Sequence, residues 1–269
     1  MPESNVIDEL SKITLALTVT SGRSGTMLLK ILLSDALGLA AEHEPKPRVN
    51  FVLRTILTCP GVARDWLFIE KLPIMLSSAK NGFYAETSHL FCKGLIEPLL
   101  SLGVRPKLIA LTRPAREVAS SLYQMNVIPC RTEAGRVVLL GPCDPDVLPL
   151  PSWSNYSDYQ LCYWYVREIE RRQAHYAALS AEISLDFLRV SMQDLATAET
   201  LTALANFCGI VPGPDAFTRQ REIVAKNRHT RLQAAGVIED RPLPADLGVE
   251  EEAVDAVIPR GLSSFTLLA

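Results

Sequence analysis

Ile13-Thr14-Leu15-Ala16-Leu17-Thr18-Val19, followed at once by Thr20-Ser21-Gly22-Arg23-Ser24-Gly25-Thr26, is the stretch on which the fold turns. The first seven residues are a short β-rich run with no net alternation, as a strand buried on both faces requires. The next seven are a turn-rich loop. Beyond them Leu28, Leu29, Leu32, Leu33 and Leu37 recur at helical spacing, and Gly38 supplies a stop. Strand, glycine loop and helix in immediate succession form a phosphate-binding layout. Two glycines let the backbone curl so that several N–H groups converge, and the helix N-terminus adds partial positive charge. Arg23 and the hydroxyls of Ser24 and Thr26 complete a cradle for a tetrahedral anion. The plainer alternative is an ordinary Gly/Ser turn between a strand and a helix.

Working outward, the β-then-α alternation continues. Residues 83–86 read as a short strand and 92–102 as a helix. Residues 107–112 are the next strand, and 115–125 a helix begun just after Pro114, where proline's missing N–H is not needed. Residues 156–179 form a long amphipathic helix. Residues 187–191 are a strand, and 198–208 a helix closed by Gly209. The stretch of about 126–155 holds Pro129, Pro142, Pro145, Pro149 and Pro151 with glycines and little periodicity, which predicts a surface loop or lid insertion. The segment from about 236 is acidic, with Glu250, Glu251 and Glu252, and weakly patterned. The expected architecture is α/β: one domain over residues 1–269, three layers, a mostly parallel central sheet flanked by helices and a P-loop-like strand-loop-helix.

Composition limits the partners. Hydrophobic residues make up 48% of 269, enough for a sizeable core, and the net charge of -3 gives no general electrostatic case for nucleic acid or anionic membrane. No stretch approaches the roughly 18 uninterrupted apolar residues of a membrane span, and residues 1–5 lack the basic and apolar regions of a secretory signal. Six cysteines are scattered without a CxxC pair, which predicts reduced thiols and a cytoplasmic location.

The loop is not a Walker A motif, which needs GxxxxGK followed by Ser or Thr. Gly22 and Gly25 stand too close together, and no lysine follows Gly25. A nucleoside triphosphatase also wants an Asp at a later strand end to hold Mg²⁺, whereas the strand 107–112 ends at Arg113. An arginine there asks for a second anion. Ser121 lies eight residues on, about two helical turns in. Taken alone, Arg113 is equally read as a helix-start ion pair and Ser121 as a surface residue.

Together the two segments resemble the PAPS-dependent sulfotransferases, PAPS being 3′-phosphoadenosine 5′-phosphosulfate. In that family a loop similar to Pro-Lys/Arg-Ser-Gly-Thr-Thr binds the 5′-phosphosulfate, and a strand ending in Arg with Ser eight residues later binds the 3′-phosphate. Here the first pattern stands as Gly22-Arg23-Ser24-Gly25-Thr26-Met27 and the second as Arg113 with Ser121. Residues 188–195 and 201–210 look like the family's closing strand and helix, so the likeness runs over about 13–210. Gly22 replaces the more usual proline, and Met27 replaces the second threonine, removing one hydroxyl.

The resemblance implies direct in-line transfer of a sulfuryl group from PAPS to a hydroxyl or amine, leaving adenosine 3′,5′-bisphosphate, with no metal. Gly22, Arg23, Ser24, Gly25, Thr26, Met27, Arg113 and Ser121 would hold the donor. Arg23 would stabilise charge without giving up a proton. Two residues compete as general base. Glu44 falls twenty residues after Ser24, near where tyrosylprotein sulfotransferases place a catalytic glutamate. His89 sits in Thr87-Ser88-His89, which looks like the Lys-Thr-His segment of cytosolic sulfotransferases. Spacing favours Glu44 and intrinsic pKa favours His89, with His43 and Glu86 in reserve. The basic run 226–231, with Arg228, either closes over the 3′-phosphate or is a solvated face. Trp153, Tyr156, Tyr159, Tyr163 and Trp164 suit helix packing first and an acceptor pocket second. The acceptor, a small molecule, glycan or lipid, and the oligomeric state are not legible. The competing functions are a P-loop nucleoside or small-molecule kinase and a non-catalytic nucleotide-binding protein of the same fold.

Overall fold

The chain's computed structural model describes residues 3–234 and 241–258, with side chains except those of residues 3–5, 51 and 228–234. Short apolar runs bounded by turns form a five-stranded sheet: β1 Thr14–Val19, β2 Ala41–Glu42, β3 Phe83–Glu86, β4 Lys107–Thr112 and β5 Phe187–Ser191. The order is β2-β3-β1-β4-β5, and every neighbouring pair is parallel. Ala16 pairs with both Ala85 and Lys107, which fixes β1 at the centre.

β1 is apolar along its length because helices cover both of its faces. Leu15, Leu17 and Val19 enter one buried cluster with Val118, Tyr159, Trp164 and Tyr176. Ala16 enters a second, on the opposite face, with Leu28, Leu29, Leu32, Leu201 and Leu204. This is the three-layer α/β arrangement that the strand-helix alternation predicts.

The chain leaves β1 toward one edge of the sheet and leaves β4 toward the other. The β1/β4 boundary is therefore a topological switch point, where the loops at the strands' carboxyl ends diverge and leave a crevice.

Several elements differ from the sequence-based expectation. Residues 126–155 are not an open surface loop. They carry the helix Glu133–Val138, and Leu139, Leu140, Leu148 and Leu150 are buried. Leu148 N donates to Glu168 Oε2 at 3.0 Å, and Trp164 Nε1 donates to the Leu148 carbonyl at 3.2 Å. Prolines interrupt the periodicity there without exposing the leucines. The long helix runs Asp158–Glu182, because a capping box of Ser157 and Gln160 sets its start two residues later than the aromatic pattern suggests.

Among the described residues of the acidic segment there is a helix. The helix Leu247–Asp255 lies along the long helix, with Glu251 accepting from Tyr159 Oη at 2.7 Å and Asp255 paired with Arg167 at 2.8 Å. No helix among the described residues is long and apolar enough to cross a membrane.

Candidate functional site

The carboxyl ends of four adjacent strands carry the residues singled out above. Across the sheet the order is Glu44 after β2, His89 after β3, the 20–25 loop after β1 and Arg113 after β4. Folding thus reorders residues that are far apart in the chain into one row.

The loop folds as a tight curl. Gly22, Arg23 and Gly25 all have positive φ, at 77°, 53° and 91°. Ser21 Oγ and Ser24 Oγ lie 2.9 Å apart, and Ser24 Oγ donates to the Gly22 carbonyl at 2.9 Å. The proline usual at position 22 in the sulfotransferase motif requires φ near −65°, so glycine here belongs to a differently wound loop. A Cβ on Gly22 would also stand 3.2 Å from His89 Cγ, so the glycine lets the imidazole rest on the loop. Gly22→Ala is expected to destabilise the fold by about 1–2 kcal/mol from the backbone alone, read by urea denaturation.

The 20–25 loop and the segment bearing Arg113 and Ser121 meet directly. Arg23 Nε donates to Ser121 Oγ at 3.0 Å, and an Arg113 NH group donates to the Arg23 carbonyl at 2.9 Å. Arg113 Nε also donates to Glu117 at 2.8 Å, so its guanidinium is oriented from both sides. Beneath them the long helix fixes the frame. Tyr165 Oη donates to the Ser21 carbonyl at 2.8 Å, and Gln173 Nε2 donates to both the Val19 and Leu111 carbonyls at 2.8 and 3.2 Å. Met27 is exposed beside the loop, and Thr26 is buried at the helix start.

On the other side of the loop, Glu44 and His89 are partners and not separate alternatives in space. Glu44 Oε1 lies 3.4 Å from His89 Nε2. Glu44 itself has φ 45°, and its carbonyl accepts from Arg48 Nε at 2.7 Å. Burial, with Lys93 and His43 adding to it, holds His89 well below the ordinary histidine pKa. His43 instead donates through Nδ1 to the Thr87 carbonyl at 2.6 Å.

Glu86 is buried one layer below, paired with Lys71 at 2.8 Å. Burial raises its pKa to about 7, against the opposing pull of Lys71. Lys71 Nζ also donates to the Pro45 and Pro47 carbonyls at 3.2 and 3.3 Å, which fastens the segment bearing Glu44. A small, narrow opening lies between Glu44, Trp66, Lys71, Glu86, Leu90 and Phe91.

Two functional neighbours escaped the sequence reading: Lys71 and Lys93, both fully enclosed. Lys93 Nζ lies 2.6 Å from His89 Nδ1. Neither lysine belongs to a motif, and lysines in helical or turn segments ordinarily read as solvated. Arg228 lies on the helix Ala216–Ala234, and its side chain is outside the described residues. The aromatics Tyr159, Tyr163 and Trp164 are buried against the core. Among the described residues no group of three or more His, Cys, Asp or Glu side chains gathers in a metal-holding cluster.

A solved structure, the sulfotransferase domain from the Synechococcus PCC 7002 olefin synthase, is similar with a TM-score of 0.42 at 14% identity, over 91% of this chain and 93% of that one. No family model matches the chain, and no curated protein matches it.

Proposed function

We propose that the chain is a sulfotransferase that uses PAPS as donor. The observation that carries the reading is the direct junction of two anion-holding segments at the β1/β4 crevice: the 20–25 loop and Arg113 with Ser121, joined through Arg23. A ligand with charge at both ends of an adenosine suits such a pair, whereas a single phosphate group needs only one of them.

In this reading the loop amides and Arg23 hold the 5′-phosphosulfate, and Arg113 and Ser121 hold the 3′-phosphate. Glu44 takes the proton of the acceptor hydroxyl or amine. The acceptor atom bonds to sulfur as the bond between sulfur and the bridging phosphate oxygen breaks, and the electron pair leaves with adenosine 3′,5′-bisphosphate. Arg23 stays protonated and meets the charge that grows on the leaving phosphate. Positioning and charge stabilisation supply the rate enhancement, as in phosphoryl transfer. The acceptor, an alcohol, phenol, sugar, lipid or amine, approaches from the side of Glu44.

Thermal shift tests the donor site. Adenosine 3′,5′-bisphosphate without Mg²⁺ is expected to raise Tm of the wild-type protein, since a ligand that binds only the native state stabilises it by mass action. Arg113→Ala is expected to lose most of that shift. A shift with ATP and Mg²⁺ and none with the bisphosphate would overturn the proposal in favour of a kinase.

A further inference from the structure

The row at the carboxyl ends of β2 and β3 holds one more member than the motifs predict. Lys93 follows β3 in the turn 91–95 and is completely enclosed. Its Nζ donates to the Val138 carbonyl, lies 2.6 Å from His89 Nδ1, and sits 5.1 Å above the Tyr165 ring centre. His89 therefore has a partner on each nitrogen: the Lys93 amine at Nδ1 and the Glu44 carboxylate at Nε2.

We infer that Lys93 is a positioning residue that locks His89 in its Nε2–H tautomer and thereby leaves Glu44, and not histidine, as the proton acceptor. An ammonium can only donate, so Nδ1 facing Lys93 must present its lone pair. A carboxylate can only accept, so the Glu44 oxygen 3.4 Å from Nε2 favours the hydrogen there. The Lys93 contact at 2.6 Å is the stronger constraint, and the longer Glu44 contact at 3.4 Å points the same way. In that state His89 has no vacant lone pair with which to deprotonate a substrate. Its Nε2–H instead points toward the Glu44 carboxylate, 3.4 Å away.

Other groups near this chain of contacts agree with a neutral ring. Lys93 and His43 both repel a proton from His89. Around Lys93, Arg54 and Arg172 oppose its charge, and Cys92 and Glu44 favour it. Burial dominates and brings its pKa to about 7. Deprotonation of Lys93 frees it to accept from Nδ1–H, so the tautomer lock weakens as pH rises through that value.

The assignment of Glu44 as base rests on the sulfotransferase reading, but the tautomer does not, and it is measured without donor or acceptor. The chain has four histidines. Protein labelled with nitrogen-15 in histidine, with the His89 signals identified by their loss in His89→Gln, reports which ring nitrogen is protonated. At pH 6 the wild type is expected to show a single Nε2–H form with an unprotonated Nδ1. Lys93→Met is expected to lose that single form and give a mixture of tautomers, and Lys93→Arg, which still donates, to keep it.

An Nδ1–H or doubly protonated His89 in the wild type overturns the inference, as does an unchanged ring pattern in Lys93→Met. Should Lys93→Met not fold, the wild-type spectrum followed from pH 6 to 9 decides in its place. A single Nε2–H form at pH 6, kept or giving way to a mixture only as Lys93 deprotonates, supports the lock, and an Nδ1–H or doubly protonated ring at pH 6 refutes it.

Discussion

On the proposed reading, replacing Glu44 with glutamine is expected to lower kcat by about 10²–10⁴-fold, the usual contribution of a positioned general base, with adenosine 3′,5′-bisphosphate expected to raise Tm as in the wild type. The expectation follows from where Glu44 sits. It is one step from the phosphate loop through His89, whose ring rests on Gly22, and it borders the small opening. Glutamine keeps the shape and one hydrogen-bond acceptor but cannot take a proton. Transfer from PAPS would be followed with the best acceptor from a panel of phenols, sugar alcohols and amines. His89→Gln, which removes a neighbour of the base and not the base, is expected to cost less than Glu44→Gln. The reverse ranking, with near-normal turnover in Glu44→Gln, would move the proton-accepting role to His89.

The second large effect falls on stability. Lys71→Met breaks a buried pair by removing one partner, which costs roughly 3–5 kcal/mol when the other charge is left uncompensated. Lys71 and Glu86 are 2% and 3% exposed, so water cannot take over the lost partner's role. The pH dependence has a defined sign. The folded pKa of Glu86, about 7, exceeds its ordinary value of 4.5. The folded state therefore binds the extra proton, and the stability Glu86 contributes is complete below its unfolded pKa and lost as pH rises through about 7. Lys71 opposes that rise, so without it the pKa climbs further. The deficit of Lys71→Met is thus expected to be smallest near pH 5 and to grow toward pH 8, measured as the change in urea midpoint. Lys71→Met combined with Glu86→Leu, which removes both charges, is expected to recover much of the loss. A deficit that is flat with pH, or a double variant as weak as the single one, would refute this account.

The parts of the fold that were readable in the sequence are those with dense local signals. β1, its glycine loop and the following leucines are contiguous, so pattern alone places them. β4 ending at Arg113, and the helix begun after Pro114, are similarly local. β2 is only two residues long, too short for any periodicity, and it exists because the edge of β3 offers partners to Ala40 and Glu42. Residues 53–78 form three short α-helices and the π-helical turn Leu67–Lys71, with Pro60 and Pro73 at helix starts, which erases the helical spacing.

For the site, residue types at strand ends were legible one by one, but their relations were not. Glu44 and His89 read as rivals because their contact spans 45 positions of chain and depends on β2 and β3 pairing side by side. Lys71 and Lys93 were invisible for a different reason. A lysine's burial is decided by what folds over it, here the 44–48 segment and the Val138 carbonyl. The acidic stretch around Glu251 read as unpatterned because its partners, Arg116 and Tyr159, lie more than ninety residues away.

The single amide of Gln173 has a wider significance than its two hydrogen bonds. It is buried where β1 and β4 begin to part, and it ties the last carbonyl of β1 to that of Leu111 in β4. The junction of the 20–25 loop with the Arg113 segment is thus held from below by a strut carried on a 25-residue helix. In the proposed reading, a junction braced in this way would act as a gauge, favouring a ligand whose charged ends match its fixed spacing. Selectivity for the bridging ligand would then reside in the core of the protein, several residues away from any atom that touches it.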